Sequence, residues 1–351
     1  MQYRTEIKRT LDEKLIHEWK KLWEKAENAN IYNSYEWFIS CLDAKLLTDY
    51  ELHVCYKDDK LVAILPMEKY SCYGVNTVGT IGKEHLVDTS FLMESYDKEL
   101  FKYFFGNLFK KRNVYLQRID NKAAELLHKL FPHMLYSLIS VNPIIDLTSD
   151  PTVNASSSTI YQIKKTLRKN EGKLRFAMYR DELEKHFETM LQLQECSSKR
   201  ARSLDIFMNE KTKNYYYSLV KNCAKFIRIN MVYYEDTPIV YEFGFVSKDV
   251  YIGAQISYHK DYGKLAPGKL MLYYLFENLK KENVKTLDMG GGISSYKMLM
   301  TKDYRILYNV YTSNNIAILT WWKLVNKLRR LNQIISPKKN TKDHEFLFKP
   351  L

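Results

Sequence analysis

Residues 251–297 read YIGAQISYHKDYGKLAPGKLMLYYLFENLKKENVKTLDMGGGISSYK, and here the residue types that bind anions and move protons crowd together. An apolar strand ends at Tyr258. A loop holding Gly263, Lys264, Ala266, Pro267, Gly268 and Lys269 follows, and a helix starts at once. Such a loop turns backbone N–H groups and the positive end of a helix dipole toward an anion, with Pro267 in the first turn where no N–H is needed. Lys264 and Lys269 add charge at its edges. Residues 263–270 nearly spell a phosphate loop, G-x-x-x-x-G-K-[ST], but Leu270 replaces the hydroxyl that would hold magnesium, and Pro267 removes one amide. The loop therefore reads as a seat for a pyrophosphate held without metal-assisted cleavage, as in coenzyme A. An ordinary strand–helix turn stiffened by Pro and Gly fits the same residues.

Downstream, Asp288 ends a predicted strand, Gly290, Gly291 and Gly292 follow, and then Tyr296 and Lys297. Three glycines let backbone approach a ligand closely, and a lysine beside them suits a phosphate or a developing negative charge. Asp288 and Glu242 fall in predicted central strands, where a carboxylate is costly unless paired or functional. Asp288 also suits a cap on the turn after it, and Lys297 a solvated surface.

The five cysteines are widely spaced and form no C-x-x-C, so neither a disulfide framework nor a zinc site is expected.

The elements that must position these residues alternate between helix and strand. Leu15, Trp19, Leu22 and Trp23 recur at helical spacing, and Ser34 is placed to cap a second helix. A hairpin follows with its turn at residues 57–60, then a helix over 96–111 and strands over 114–119 and 134–147, the latter interrupted at Pro143. After residues 149–158, SDPTVNASSS, the order starts again. Helices are predicted over 159–170, 181–195 and 209–224, a three-stranded meander over 227–258, and a helix over 267–282. A strand to Met289, a strand over 306–312 and a helix over 314–331 close the pattern. Residues 109–114 (FKKRNV) and 279–284 (LKKENV) share four of six positions 170 apart, each closing a helix and opening a strand. A duplicated mixed α/β unit is expected. The expected division is a first domain over 1–147, a linker at 148–158, a second domain over 159–335 and a basic tail at 336–351.

The chain has 351 residues, more than one core usually supports, and 46% of them are apolar, which excludes a disordered protein. Against 41 acids stand 54 Lys and Arg, a net +13 that points to an anionic partner: nucleic acid, phosphorylated ligand or membrane surface. The N-terminus has no signal-peptide-like apolar run and no stretch is long enough to span a bilayer, so a cytoplasmic protein is expected.

The order strand, Ala266-Pro267-Gly268-Lys269-Leu270, then Leu287-Asp288-Met289-Gly290-Gly291-Gly292, then Tyr296-Lys297 resembles the second domain of GNAT-type N-acyltransferases of the FemAB/CelD-like group. The basic helix over 163–169 and the opening Ser34-Tyr35-Glu36-Trp37 are similar to that group as well. Met300 departs from it, standing where the family commonly has an aromatic residue.

The resemblance implies a fold class of mixed α/β sheets in two tandem GNAT-like domains. It also implies acyl transfer from acyl-coenzyme A to an amine, often on an amino sugar or cell-envelope polysaccharide precursor. In the Fem branch the donor is instead aminoacyl-tRNA and the acceptor a peptidoglycan precursor. Catalytic candidates on this reading are Tyr296 to protonate the leaving group, Lys297, and Asp288 or Glu242 to activate the amine. Tyr258, Gly263, Lys264, Ala266, Pro267, Gly268 and Lys269 are candidates for the donor. Asp88, Lys199, Arg200, Gly291 and Gly292 are candidates for the acceptor, in a cleft between domains. No metal is expected.

Lys164, Lys165, Arg168, Lys169, Lys173 and Arg175 against Glu171 suit coenzyme A, tRNA or plain solvation. Residues 321–351 hold eight Lys/Arg and two acids, and the helix over 314–335 suits peripheral contact with an anionic membrane at its inner face, consistent with a lipid-linked acceptor. Packing of its tryptophans onto the core fits equally. A non-catalytic nucleic-acid- or membrane-binding protein on a GNAT scaffold is the third reading.

Overall fold

The computed structural model describes residues 2–335 except 83, 84, 86, 111 and 293. The basic tail expected at 336–351 lies outside the described residues. The strands are β1 (Tyr3–Lys8), β2 (Tyr50–Lys57), β3 (Lys60–Cys72), β4 (Val75–Thr80), β5 (Leu92–Met93), β6 (Val114–Asp120), β7 (Leu135–Asp146), β8 (Leu174–Tyr179), β9 (Ile227–Tyr234), β10 (Thr237–Ser247), β11 (Val250–Tyr258), β12 (Thr286–Asp288) and β13 (Tyr304–Thr312). They form two compact units. The first takes the described parts of Met1–Phe38, Lys45–Val141 and Arg305–Leu351, and the second Ile39–Ala44 and Asn142–Tyr304.

The same order of elements occurs twice. A strand, two helices, a three-stranded meander, a helix, a strand, a helix and a strand run from β1 to β7 through helices Glu13–Lys25, Tyr35–Asp43, Lys98–Leu108 and Asn121–Leu130. They recur from β8 to β13 through Leu183–Glu195, Glu210–Asn222, Pro267–Lys281 and Ser295–Met298. Local chemistry starts these helices: Asp12 accepts from Leu15 N at 2.7 Å, Asp97 from Leu100 N at 2.9 Å, and Ser34 from Trp37 N at 3.1 Å.

In the first unit the strand order is β1-β2-β3-β4-β6-β13-β7. β4 and β6 run parallel over two pairs, Val78 with Val114 and Gly79 with Tyr115. Past that point the chain itself continues beside β6: Thr89 bridges Ile119 in parallel, and Thr89 N donates to Arg118 O at 2.9 Å. Buried Phe91 and β5, paired to β3, complete this filling. In the second unit the order is β12-β11-β10-β9-β8, with the end of β7 antiparallel to β12. β11 and β12 are parallel over three pairs ending at Ile252 with Asp288. Among the described residues no strand continues beside β11 on that side. Gly253, Ala254, Gln255 and Ile256 are accordingly half-exposed although they sit in an interior strand.

Two expectations about domains change. The last strand and helix belong to the first unit, not the second, because the edge of β12 is already taken by Ile144, Ile145 and Asp146 of β7. β13 finds its antiparallel partner in β6 instead, burying Leu307 and Val310. Residues 148–158 lie wholly within the second unit and do not link two bodies. Thr148 and Thr152 close turns on Asp146 and Asp150, Lys280 Nζ donates to Ser149 O at 3.1 Å, and Ser156 N donates to Leu299 O at 2.8 Å. Polar turn residues read as a linker, yet their backbone groups are satisfied inside one unit. Nor does Pro143 interrupt β7, which runs through it.

Candidate active site in the second unit

Glu242 lies on β10, flanked by buried Tyr241 and Phe243, and is itself only 5% exposed. Two side chains from the neighbouring strands meet it there. Asn230 on β9 is its cross-strand partner, and its Nδ2 donates to Glu242 Oε2 at 2.8 Å and to the Tyr251 hydroxyl at 2.8 Å. The Tyr251 hydroxyl in turn donates to Glu242 Oε2. Burial holds the Glu242 carboxyl up at about 8, even though the bonds from Tyr251 and Asn230 and the charge of Lys297 act the other way.

The other oxygen of Glu242 leans toward the opening. A Cβ placed on Gly253 would stand 3.0 Å from Oε1, at the residue where the pairing of β11 with β12 stops. Gly290, with φ +73°, approaches the same spot from the other strand; a Cβ there would meet Gly253 O at 2.4 Å. Only glycine allows that approach.

Asp288 and Lys297 shape the turn more than they face a ligand. Asp288 Oδ1 accepts from Gly290 N at 2.9 Å, the capping role its position also suggested. Lys297 Nζ donates to the carbonyls of Met289, Gly290 and Gly291 at 2.7, 3.2 and 3.3 Å. Three donors face three acceptors, so the expected phosphate contact gives way to a lysine that closes the glycine turn and keeps its charge near Glu242. Gly291 is exposed and Gly292 half-exposed on that turn.

The loop before helix Pro267–Lys281 is more structured than expected. Residues Lys260–Leu265 form a 3₁₀ turn, and Ala266 N donates to Gly263 O at 3.0 Å, so Ala266 offers conformation and not a donor. Ala266 sits in the left-handed region (φ 52°, ψ 56°) as N-cap, with no side chain capping the helix; Pro267 fills the first position and is buried. Gly268 is half-exposed at the next, leaving the positive helix end open to an anion. Lys264 is exposed and Lys269 half-exposed beside it, and the Tyr258 ring packs 3.8 Å from a Cβ on Gly263. The ring of half-buried Tyr296 stands 3.9 Å from a Cβ on Gly268. Tyr296 thus belongs to the helix start, and Lys297, next in sequence, to the glycine turn.

The second unit therefore gathers Glu242, Asp288, Tyr296, Lys297, Gly253, Gly268 and Gly290. Lys199 and Arg200 lie on helix Ser198–Ala201, which is tied to the end of β11 by the bridge of Ser197 with His259; Arg200 pairs with Asp205 at 3.1 Å. Asp88 is not part of this group. It is buried in the first unit, where Arg305 and Asn30 hold its Oδ2 at 2.8 and 3.1 Å. Sequence reading missed Asn230, Tyr251, Gly244 and Gly253. The one usable signal was Asn230, a polar residue inside the apolar run IRINMVYY, which hairpin register sets opposite Glu242.

Among the described residues no cluster of His, Cys, Asp and Glu could hold a metal ion, and no helix is long and apolar enough to cross a membrane. Residues 157–298 match the family described as an acetyltransferase (GNAT) domain. No curated protein matches the chain. Among solved structures it is similar to FemX, at 8% identity over 90% of this chain and 99% of that one with a TM-score of 0.63. It is also similar to the C-terminal domain of a putative lysylphosphatidylglycerol synthetase from Agrobacterium fabrum, at 8% identity, covering 88% and 95%, TM-score 0.58. A conserved protein of unknown function from Bacteroides thetaiotaomicron gives 10% identity, 88% and 100% coverage and a TM-score of 0.60. At such identities these structures bear on fold alone. Residues 157–298 thus match a GNAT acetyltransferase domain, and the chain shares the double GNAT fold of FemX-like structures.

Proposed function

We propose that the protein moves an acyl group from acyl-coenzyme A to an amine on an amino sugar or cell-envelope precursor. The observation that carries the reading is the end of the β11–β12 pairing at Ile252 and Asp288, beyond which a buried Glu242 leans over Gly253 within the same unit as the helix start at Pro267 and Gly268, which no side chain caps. The diphosphate of the donor rests at Gly268 with Lys264 and Lys269 at its rim, and the thioester arm lies along the half-exposed backbone of β11. The amine nitrogen attacks the thioester carbonyl and the C–S bond breaks. Glu242, once ionised, takes the proton released from nitrogen, and Tyr296 gives one to the departing thiolate. Lys297 is a positioning residue that fixes the glycine turn.

Calorimetry with acetyl-coenzyme A and coenzyme A tests this. Binding is expected in the wild type and lost in Gly268→Asp, whose Cβ has room, the nearest atom being 3.9 Å away. Absence of binding to the wild type would sink the reading.

A Fem-like aminoacyl-tRNA donor is the second reading, favoured by exposed Lys164, Arg168 and Lys169 on helix Ser157–Lys169. It predicts tRNA binding that weakens steeply with salt in gel shifts.

A lipid-linked acceptor fits helix Ile316–Ile335. Ile316, Trp321, Leu324 and Leu328 are 81%, 46%, 48% and 52% exposed, with Lys323 and Lys327 exposed alongside and no acid in the helix. Trp322 is buried on the opposite side and anchors it. An apolar stripe edged by lysines suits the surface of an anionic bilayer.

A further inference from the structure

Four arginines are half-buried among the described residues whose side chains are placed: Arg112, Arg118, Arg228 and Arg305. Three of them face a carboxylate: Arg112 meets Glu51 at 2.6 Å, Arg228 meets Glu282 at 2.9 Å and Arg305 meets Asp88 at 2.8 Å. Arg118 does not. Among the described residues no carboxylate or carbonyl accepts from its guanidinium, and the ionisable side chains that act on it are the phenols of Tyr32 and Tyr115. A cation drawn out of water without a counter-charge is costly, and proteins rarely keep one without a use.

Its backbone is as unusual as its charge. Arg118 has φ 54°, and of the described non-glycine residues with positive φ it is the one that lies inside a strand. The register of β6 with β13 slips between Tyr308 and Val310, so that Gln117 and Arg118 stand opposite Asn309 alone. That bulge is fully supported. Asn309 Oδ1 accepts from Arg118 N at 3.0 Å, Asn309 Nδ2 donates to the Tyr115 hydroxyl at 2.7 Å, Thr80 Oγ1 accepts from Gln117 N at 3.1 Å, and Thr89 N donates to Arg118 O at 2.9 Å. A bulge re-aims the side chain it carries, and strained backbone held this firmly clusters at ligand sites.

We propose that the first unit binds a small anionic group, a phosphate or a carboxylate, at Arg118. The anion supplies the missing counter-charge, and the guanidinium offers it a planar pair of donors. That this anion belongs to the acceptor rests on the acyltransferase reading; the site itself does not.

The test is thermal unfolding in inorganic phosphate or in acetate, at ionic strength held constant with chloride. The wild-type midpoint is expected to rise by about 3 °C or more and to saturate. A response to phosphate alone assigns a phosphoryl group, and to acetate alone a carboxylate. Arg118→Met, and Arg118→Gly, which also relieves the positive φ, are expected to lose the response while their anion-free midpoints stay at or above the wild type's. Repeating the titration in Gly268→Asp separates the two sites, since the Arg118 response must survive there even if donor binding is lost or was never present. An unchanged wild-type midpoint, or an equal shift in both Arg118 variants, overturns the proposal.

Discussion

The Tyr251 hydroxyl donates to Glu242 from the adjacent strand, and Asn230 donates 2.8 Å bonds to both, so one buried carboxyl is held by two donors while its second oxygen stays turned to Gly253. Its burial, not its partners, sets its proton affinity. With the carboxyl near 8, the base form is scarce below neutrality and grows as pH rises. Acyl transfer should therefore climb with pH through about 8. Glu242→Gln should lower kcat by about 10²–10⁴-fold with acetyl-coenzyme A affinity unchanged. Tyr251→Phe and Lys297→Met each remove something that favours the ionised form, so both should move the midpoint of the profile to higher pH. A profile that is flat from pH 6 to 9 would remove Glu242 from the chemistry.

The same group makes stability depend on pH in a fixed direction. Its folded value of about 8 lies above the ordinary 4.5, so its contribution is complete below 4.5 and is lost as pH rises toward 8. Unfolding midpoints of wild type and Glu242→Gln at pH 5 and pH 8.5 measure it. The wild type should lose more than the variant over that interval.

Gly244 carries no side chain because Tyr251 occupies the space. A Cβ there would lie 2.3 Å from the Tyr251 hydroxyl and 2.4 Å from its ring carbon. Gly244→Ala should cost about 1–3 kcal/mol in denaturant unfolding and should disturb the pH profile by displacing the partner of Glu242. Gly263→Ala, whose nearest neighbour is 3.8 Å away, is the control expected to change neither.

In the first unit Glu51 is 1% exposed and is reached by Arg112 at 2.6 Å, Arg9 at 3.3 Å, Lys69 at 3.3 Å and His53 at 3.2 Å. Burial opposes its ionisation, but Arg112 above all, then His53 and Lys69, bring it down to about 2. Its contribution is present above 4.5 and disappears as pH falls toward 2. Glu51→Gln should cost about 3 kcal/mol at pH 7 and remove that acid sensitivity, read by denaturant titrations at pH 7 and pH 3.

For the exposed helix Ile316–Ile335, flotation with phosphatidylglycerol-containing vesicles should carry the wild type up and leave Leu324→Glu below, with weaker binding at high salt and none to neutral vesicles. Equal flotation of both proteins would rule out the Trp321–Leu324–Leu328 stripe as the contact.

Much of the repeat was legible because it is local. Ser34 marks a helix start within a few residues of itself, and the turn at 57–60 fixes a hairpin by short-range chemistry. The start of helix Pro267–Lys281 was legible for the same reason, since Pro267 and Gly268 announce a helix start wherever they fold. Strand ends that pair at long range carry no such mark. That β13 returns to β6 while β7 occupies the edge of β12 depends on which hydrogen-bonding edges remain open once both meanders have formed. The partners of Glu242, the tethering of Lys297 by three carbonyls and the bulge that carries Arg118 are likewise properties of neighbours brought together by the sheet. Residue types set what each group is able to do. Packing chose which of them keep a proton, which hold a turn and which still face a ligand, because desolvation and hydrogen-bond partners exist only after the chain has closed on itself.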